Sequence, residues 1–291
     1  MTPKAINKMV RIGLIFPQKK LSQAGFDGIV ERARSKGVDL VHIDLDIPLE
    51  QQGPFALIVH KLNETYLGFL AGDEASVQRW NRVQKFIMAN PAVPFLDPLA
   101  SIQPLYSRTE MATKLAQLDW LIQHGPFEKP EELAVQPIVP HGGVLFKAYT
   151  LAERTEVLLR PSLRNRWIDD GEPLVFDSQT IPKRFPSTNQ TEIDIARRTP
   201  VETAFLSATN DDLAHAAAQL DSGNIKASIN NLAARLSSVF GLTLFGFDVV
   251  LNSSDRQLNM STSTIFHRFQ AFHTIFRQRF QTRFSNIAAW N

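Results

Sequence analysis

Residues 135–165, VQPIVPHGGVLFKAYTLAERTEVLLRPSLRN, leave this chain few ways to fold. A short apolar run meets Gly142-Gly143 and two further apolar runs follow, which reads as a strand, a turn and two more strands. Val144, Phe146 and Tyr149 are the apolar residues of the first long strand. Val157, Leu158 and Leu159 form the next, with Glu153 and Arg154 at the hairpin turn between them. Lys147 lies inside one strand, Arg160 closes another, and Ser162 stands just beyond. Cations and a hydroxyl on rigid strands suit a phosphate-rich ligand, because a strand holds donors in place better than a loop does. The plainer reading, that Lys147 and Arg160 are charges solvated at a sheet edge, stands beside it.

Upstream the pattern alternates between strand and helix. Val10–Phe16 is an apolar run interrupted by Arg11 and closed by Pro17, hence a buried strand. A helix is predicted from about Ser22 to Lys36, with Phe26, Ile29, Val30 and Ala33 on one face and Gly37 at its end. Val38–Asp44 and Ala56–His60 read as the next strands, Ser76–Ala89 as a helix, and Phe95–Leu96 as a short strand. This order implies a small α/β domain with a largely parallel sheet. Ligands of such sheets collect beyond the carboxyl ends of the strands, where Lys19, Lys20, His60 and Lys61 fall.

Downstream of these strands, Glu110–His124, Asp211–Gln219 and Ile225–Phe240 have helical spacing, and residues 165–190 turn polar with prolines at 173, 182 and 186, as in a loop. Leu242–Asn252 is an apolar strand containing Asp248. A lone carboxylate there is costly unless a core lysine or arginine pairs with it or it binds a metal.

The 291 residues suffice for one large or two modest domains. With no cysteine, disulfides and thiolate metal sites are excluded. The run Ile12–Phe16 is too short for a signal sequence, and no stretch has the length of a membrane span. The expectation is a soluble, cytoplasmic monomer with no nucleic-acid partner and no transmembrane segment.

HGGVLFKAY followed by RPSLRN resembles the inositol 1,3,4-trisphosphate 5/6-kinase family, the inositol-tetrakisphosphate 1-kinases, which are ATP-grasp enzymes. QGPFALIVHKL at 52–62, LDPLASI at 96–102 and LTLFGFDVVLN at 242–252 match in the same order. The resemblance implies an α/β fold class: an N-terminal Rossmann-like α/β domain over 1–107, then an incomplete ATP-grasp domain over 108–261. Residues 262–291 form an anomalous tail. It further implies an ATP- and Mg²⁺-dependent inositol polyphosphate kinase, with ATP as co-substrate. Lys20, Lys61 and Lys147 match substrate-phosphate lysines, and Arg108, Gln136, Ser162 and Ser178 match nucleotide-side positions. Asp248 matches a Mg²⁺ ligand, and His141 and Arg160 follow the family pattern. On this reading the three lysines converge on one polyanion. Replacing Lys147 is expected to cost ligand binding with little loss of stability.

Two departures accompany the match. The family's central insertion, with its phosphate-gripping lysine and its Gly/His loop, has no counterpart in GPFEKPEELAVQPIV, so low ATP affinity is expected. Pro182 stands where the family has a second serine. The alternative function is a non-catalytic inositol-phosphate-binding module with a basic amphipathic tail for a membrane or partner.

The tail carries phenylalanines at 266, 269, 272, 276, 280 and 284, with Arg268, Arg277, Arg279 and Arg283 between them. As written it is a basic amphipathic helix, suited to a membrane surface or an acidic partner, or packed over the sheet. The genetic code offers a third reading. Thr262 to Phe269 can be encoded ACG TCA ACT ATT TTC CAT CGT TTT. Read one base earlier, with the G of a TCG codon for Ser261, the bases give GAC GTC AAC TAT TTT CCA TCG TTT. That translates as Asp-Val-Asn-Tyr-Phe-Pro-Ser-Phe, which resembles the family's metal-binding motif, so the tail is expected to be a frameshift product. Codons at 261–268 incompatible with this string would exclude it.

Overall fold

Four apolar runs and the helices between them build the first half of the chain. The computed structural model describes residues 9–17, 21, 26–115, 117–118, 139–163, 181–182, 184–185, 198–206 and 208–260. These divide into two compact units, one reaching Gln103 and including Gly241–Leu244, the other comprising Pro104–Phe240 and the chain from Phe245.

In the first unit, β1 (Val10–Ile15), α1 (Phe26–Arg34), β2 (Val38–His42) and β3 (Leu57–His60) come first. Then follow α2 (Asn63–Leu70), α3 (Glu74–Ala89), β4 (Phe95–Leu96) and the single turn α4 (Leu99–Ile102). The strands lie in the order β2-β1-β3-β4, all parallel, with Ile12 opposite both Leu40 and Leu57. Residues Ile12 to Ile15 are buried in succession rather than alternately, as a parallel strand covered on both faces requires. Trp80, Val83 and Phe86 of α3 enter a core with Ile15, Ile43, Leu49, Phe55, Ile58, Leu62 and Phe95. Each such side chain contributes about 1.5–3 kcal/mol by leaving water.

Helix α3 begins two residues ahead of its apolar pattern. The Asp73 carboxylate accepts from Ser76 N at 2.8 Å and caps it, worth about 1 kcal/mol. Of the helix expected at 22–36, the described part is Phe26–Arg34. Helix α2 has no counterpart in the sequence reading. It buries no residue fully, and Leu67 and Leu70 are exposed while Tyr66 and Phe69 pack partly on the core, so no apolar stripe announces it. Two buried polar residues complete this unit. His60 Nε2 donates to the Asp97 carbonyl at 2.6 Å, and the Asp97 carboxylate accepts from Thr243 N at 2.6 Å and Leu244 N at 3.0 Å.

The second unit contains α5 (Arg108–Leu115), β5 (Val144–Leu151), β6 (Arg154–Pro161), α6 (Pro200–Phe205) and α7 (Asn210–Asp221). It ends with α8 (Asn224–Phe240), β7 (Leu244–Leu251) and β8 (Leu258–Met260), β7 beginning on the last residue counted in the first unit. Its sheet has the order β6-β5-β7-β8. Strands β5 and β6 are antiparallel from Val144↔Pro161 to Leu151↔Arg154, and β7 and β8 from Val249↔Met260 to Leu251↔Leu258. The hairpin turn is Ala152-Glu153, one residue before the predicted position, with Ala152 at φ 53°. Ile229, Leu232, Ala233, Leu236 and Phe240 form the buried stripe of α8. The Lys114 ammonium donates to the Val239 carbonyl at 3.2 Å near that helix's C-terminus, where a cation is favoured.

Candidate functional site

Side chains alternate across a strand, so Lys147 on β5 and Asp248 on β7 face away from Phe146, Phe245 and Phe247. Lys147 and Asp248 meet each other: Lys147 Nζ donates to Asp248 Oδ1 at 2.6 Å, with the two side chains 8% and 17% exposed. The lysine therefore does not belong to a solvated edge. Removing it would leave a carboxylate held away from water without this partner, so the expectation of little loss of stability does not survive. Residues directly opposite in a sheet share a face, which puts Arg160, the partner of Leu145, on the Lys147 side. Arg160 Nη2 donates to the hydroxyl of the buried Tyr149 at 3.4 Å, and the Tyr149 ring lies 6.0 Å from Lys147 Nζ. Two cations, a tyrosine and one carboxylate thus occupy one face of the sheet.

At the end of the hairpin, Gly142 and Gly143 adopt φ 68° and 70°, left-handed values that glycine reaches without strain. This turn ties Ser162 N to the Gly143 carbonyl at 2.8 Å and carries His141 over to Ser162. His141 Nε2 is 2.8 Å from Ser162 Oγ, and His141 Nδ1 is 2.5 Å from the Val139 carbonyl. Burial lowers the His141 pKa from its ordinary 6.5, and the bond to Val139 opposes the shift.

On the face opposite Lys147, a cleft of about 90 Å³ is lined by residues including His141, Phe146, His215, Gln219, Leu251 and Arg256. His215 and Gln219 share a hydrogen bond of 2.5 Å, one helical turn apart on α7. Nothing in the sequence reading singled out the cleft's α7 residues, and their i, i+4 spacing was the one available signal.

Of the other expected residues, Lys61 follows β3 in the first unit, its side chain 19% exposed and 4.0 Å from Glu64. Arg108 opens α5, its side chain outside the described part. Lys20, Gln136 and Ser178, the strand expected before the Gly-Gly turn and the tail from residue 262 all lie outside the described residues. Among the described residues no three His, Asp or Glu side chains gather as a metal site, and Asp248 is already engaged by Lys147. By themselves these residues do not fit a Mg²⁺ site, which needs oxygen ligands in near-octahedral order. No helix among them is long and apolar enough to cross a membrane.

Comparison with known proteins decides the family. The model of the inositol 1,3,4-trisphosphate 5/6-kinase pre-ATP-grasp domain matches residues 11–102, and that of the same family's ATP-grasp domain matches residues 121–263. The chain belongs to the inositol 1,3,4-trisphosphate 5/6-kinase family. The match to its ATP-grasp domain, an ATP-binding fold, contains Lys147, Ser162 and Asp248 and stops at residue 263. Inositol-tetrakisphosphate 1-kinase of Xenopus laevis is 23% identical over 303 residues, spanning 85% of this chain and 71% of that protein. The Danio rerio protein of the same name is 25% identical with the same coverage, and inositol-tetrakisphosphate 1-kinase 5 of Oryza sativa is 26% identical over 85% and 81%. Among solved structures, macrocyclase MdnB from Microcystis aeruginosa superposes with a TM-score of 0.51 at 10% identity, covering 91% of this chain and 93% of that one. That likeness concerns the fold alone.

Proposed function

We propose that this chain is an ATP-dependent inositol polyphosphate kinase. The observation that carries the reading is Lys147, a lysine on a rigid strand of the family's ATP-grasp domain, oriented by a carboxylate and flanked on the same face by Arg160 and Tyr149. Phosphoryl transfer asks the protein chiefly for position and for cations around the phosphates. An inositol hydroxyl oxygen forms the new bond to the γ-phosphorus. The bond from that phosphorus to the bridging oxygen breaks, ADP leaves with the electron pair, and the hydroxyl proton is released. Lys20, Lys61 and Lys147 are assigned to the substrate phosphates, and Arg108, Gln136, Ser162 and Ser178 to the nucleotide. Mg²⁺ at Asp248 rests on the family pattern alone, and no step is drawn through it.

The engagement of Asp248 by Lys147 also favours a second reading, a module that binds inositol phosphates without turnover. Calorimetric titration of the purified protein with ATP and with an inositol tetrakisphosphate, followed by an assay for ADP release, separates the two. The kinase binds both and releases ADP only when both are present. Binding of the inositol phosphate without ATP would overturn the kinase and leave the module. Submicromolar ATP affinity would contradict the weak nucleotide binding expected from the missing central insertion.

A further inference from the structure

We infer that His141 is a positioning residue that makes the Ser162 hydroxyl an obligate hydrogen-bond acceptor toward the nucleotide, so that Ser162 selects a donor group of that ligand. The inference rests on the proposed function only in naming the ligand. The rest follows from two contacts.

A peptide carbonyl can only accept, so the 2.5 Å contact between His141 Nδ1 and the Val139 oxygen requires the proton on Nδ1. A neutral imidazole has one N–H, which leaves Nε2 bare and able only to accept. The 2.8 Å contact from Nε2 to Ser162 Oγ therefore takes its proton from the serine. Burial supports the neutral ring. A hydroxyl has one proton and two lone pairs, so Ser162 meets any further partner with lone pairs alone. It would accept from a ribose hydroxyl or an exocyclic amine and would be a poor neighbour for a phosphate oxygen, which also accepts. The arrangement is rigid at both ends. Ser162 N is held by the Gly143 carbonyl, and the two left-handed glycines fix the path from His141 into β5.

Two measurements test this. Long-range ¹H–¹⁵N correlation spectra of the full chain without ligand, with His141 assigned by its loss in H141Q, should show the proton on Nδ1 at pH 7. A proton on Nε2, or on both nitrogens, overturns the inference. The second measurement compares affinities for ATP, 2′-deoxy-ATP, 3′-deoxy-ATP and inosine triphosphate. The wild type should bind the analogue lacking the recognised donor tenfold or more weakly than ATP. Loss with a deoxy analogue identifies a ribose hydroxyl, and loss with inosine triphosphate identifies the adenine amine. His141→Phe frees the Ser162 proton and Ser162→Ala removes the acceptor, so both should bring that ratio near one. His141→Gln, whose amide oxygen can still accept from Ser162, should restore it. Equal weakening of all four nucleotides in His141→Phe would mean a merely structural histidine and would overturn the inference. If the wild type binds no nucleotide, the proposed function and the ligand assignment fall together, and the spectrum alone decides the role of His141.

Discussion

The two sheets treat charge in opposite ways. In the parallel sheet, β1 is buried from Ile12 to Ile15 without a break, and the cations stand at strand ends: Arg11, exposed and 3.3 Å from Asp39, near the start of β1, and Lys61 beyond the end of β3. In the other sheet, Lys147 and Asp248 sit inside β5 and β7, each in a strand otherwise largely buried. A strand covered on both faces has no face to spare for a charge, so charge moves to its ends, where water screens it. A strand with two unlike faces can carry a charge inside, provided the partner comes with it. The first design tolerates loss of a cation and the second does not.

The largest expected effect breaks this contrast or confirms it. Lys147→Met should destabilise the protein by roughly 3–5 kcal/mol in urea denaturation, because it removes the ammonium 2.6 Å from the largely buried Asp248 carboxylate. The double variant Lys147→Met, Asp248→Leu should recover most of the loss. Lys61→Met should cost no more than about 1 kcal/mol, because its contact to Glu64 is long and Glu64 is exposed. Equal losses at the two lysines would remove the distinction.

A smaller effect concerns pH. The folded state refuses a proton at His141 that the unfolded chain accepts near pH 6.5, so the unfolded state binds more protons below that pH. Stability should fall as pH drops from about 6.5 toward the lowered folded value, by at most about 1.4 kcal/mol per pH unit. His141→Gln should flatten this slope, while Lys61→Met should leave it intact. Denaturation series between pH 5 and 8 provide the check.

The smallest effect lies in the hairpin, a connection open only to antiparallel strands. Ala152 at φ 53° bears about 1–2 kcal/mol of left-handed strain, and glycine there gives back about 0.4–1 kcal/mol through a freer unfolded chain. Ala152→Gly should therefore raise stability by about 0–1.6 kcal/mol, visible as a small rise in Tm. A fall in Tm would show that the turn is not strained.

Much of the scaffold was legible because local patterns carry it. The apolar run at β1, the stripe of α8 and the Gly-Gly turn all stand in the sequence and in the structure. Helix α2 was not legible, since its apolar residues divide between core and solvent. The site was harder to read for a different reason. Lys147 could be read as a phosphate ligand or as an edge cation because its partner is 101 positions away, and no local pattern states which residue of β7 lies beside it. His141 and Ser162 were each singled out, but their contact depends on where two left-handed glycines send the chain. Lys20, Gln136, Ser178 and the side chain of Arg108 fall outside the described residues.

The buried carboxylate of Asp97 has a consequence for biosynthesis. Its two oxygens are satisfied by amides 146 and 147 positions downstream, on Thr243 and Leu244. A nascent chain emerging N-terminus first therefore exposes the first unit long before the donors for that carboxylate have been translated. Until then the Asp97 carboxylate lacks these two amide donors. The first unit is early in sequence but late to close. A polypeptide released at Gln103 should lack the cooperative unfolding transition that the same residues show within the full chain.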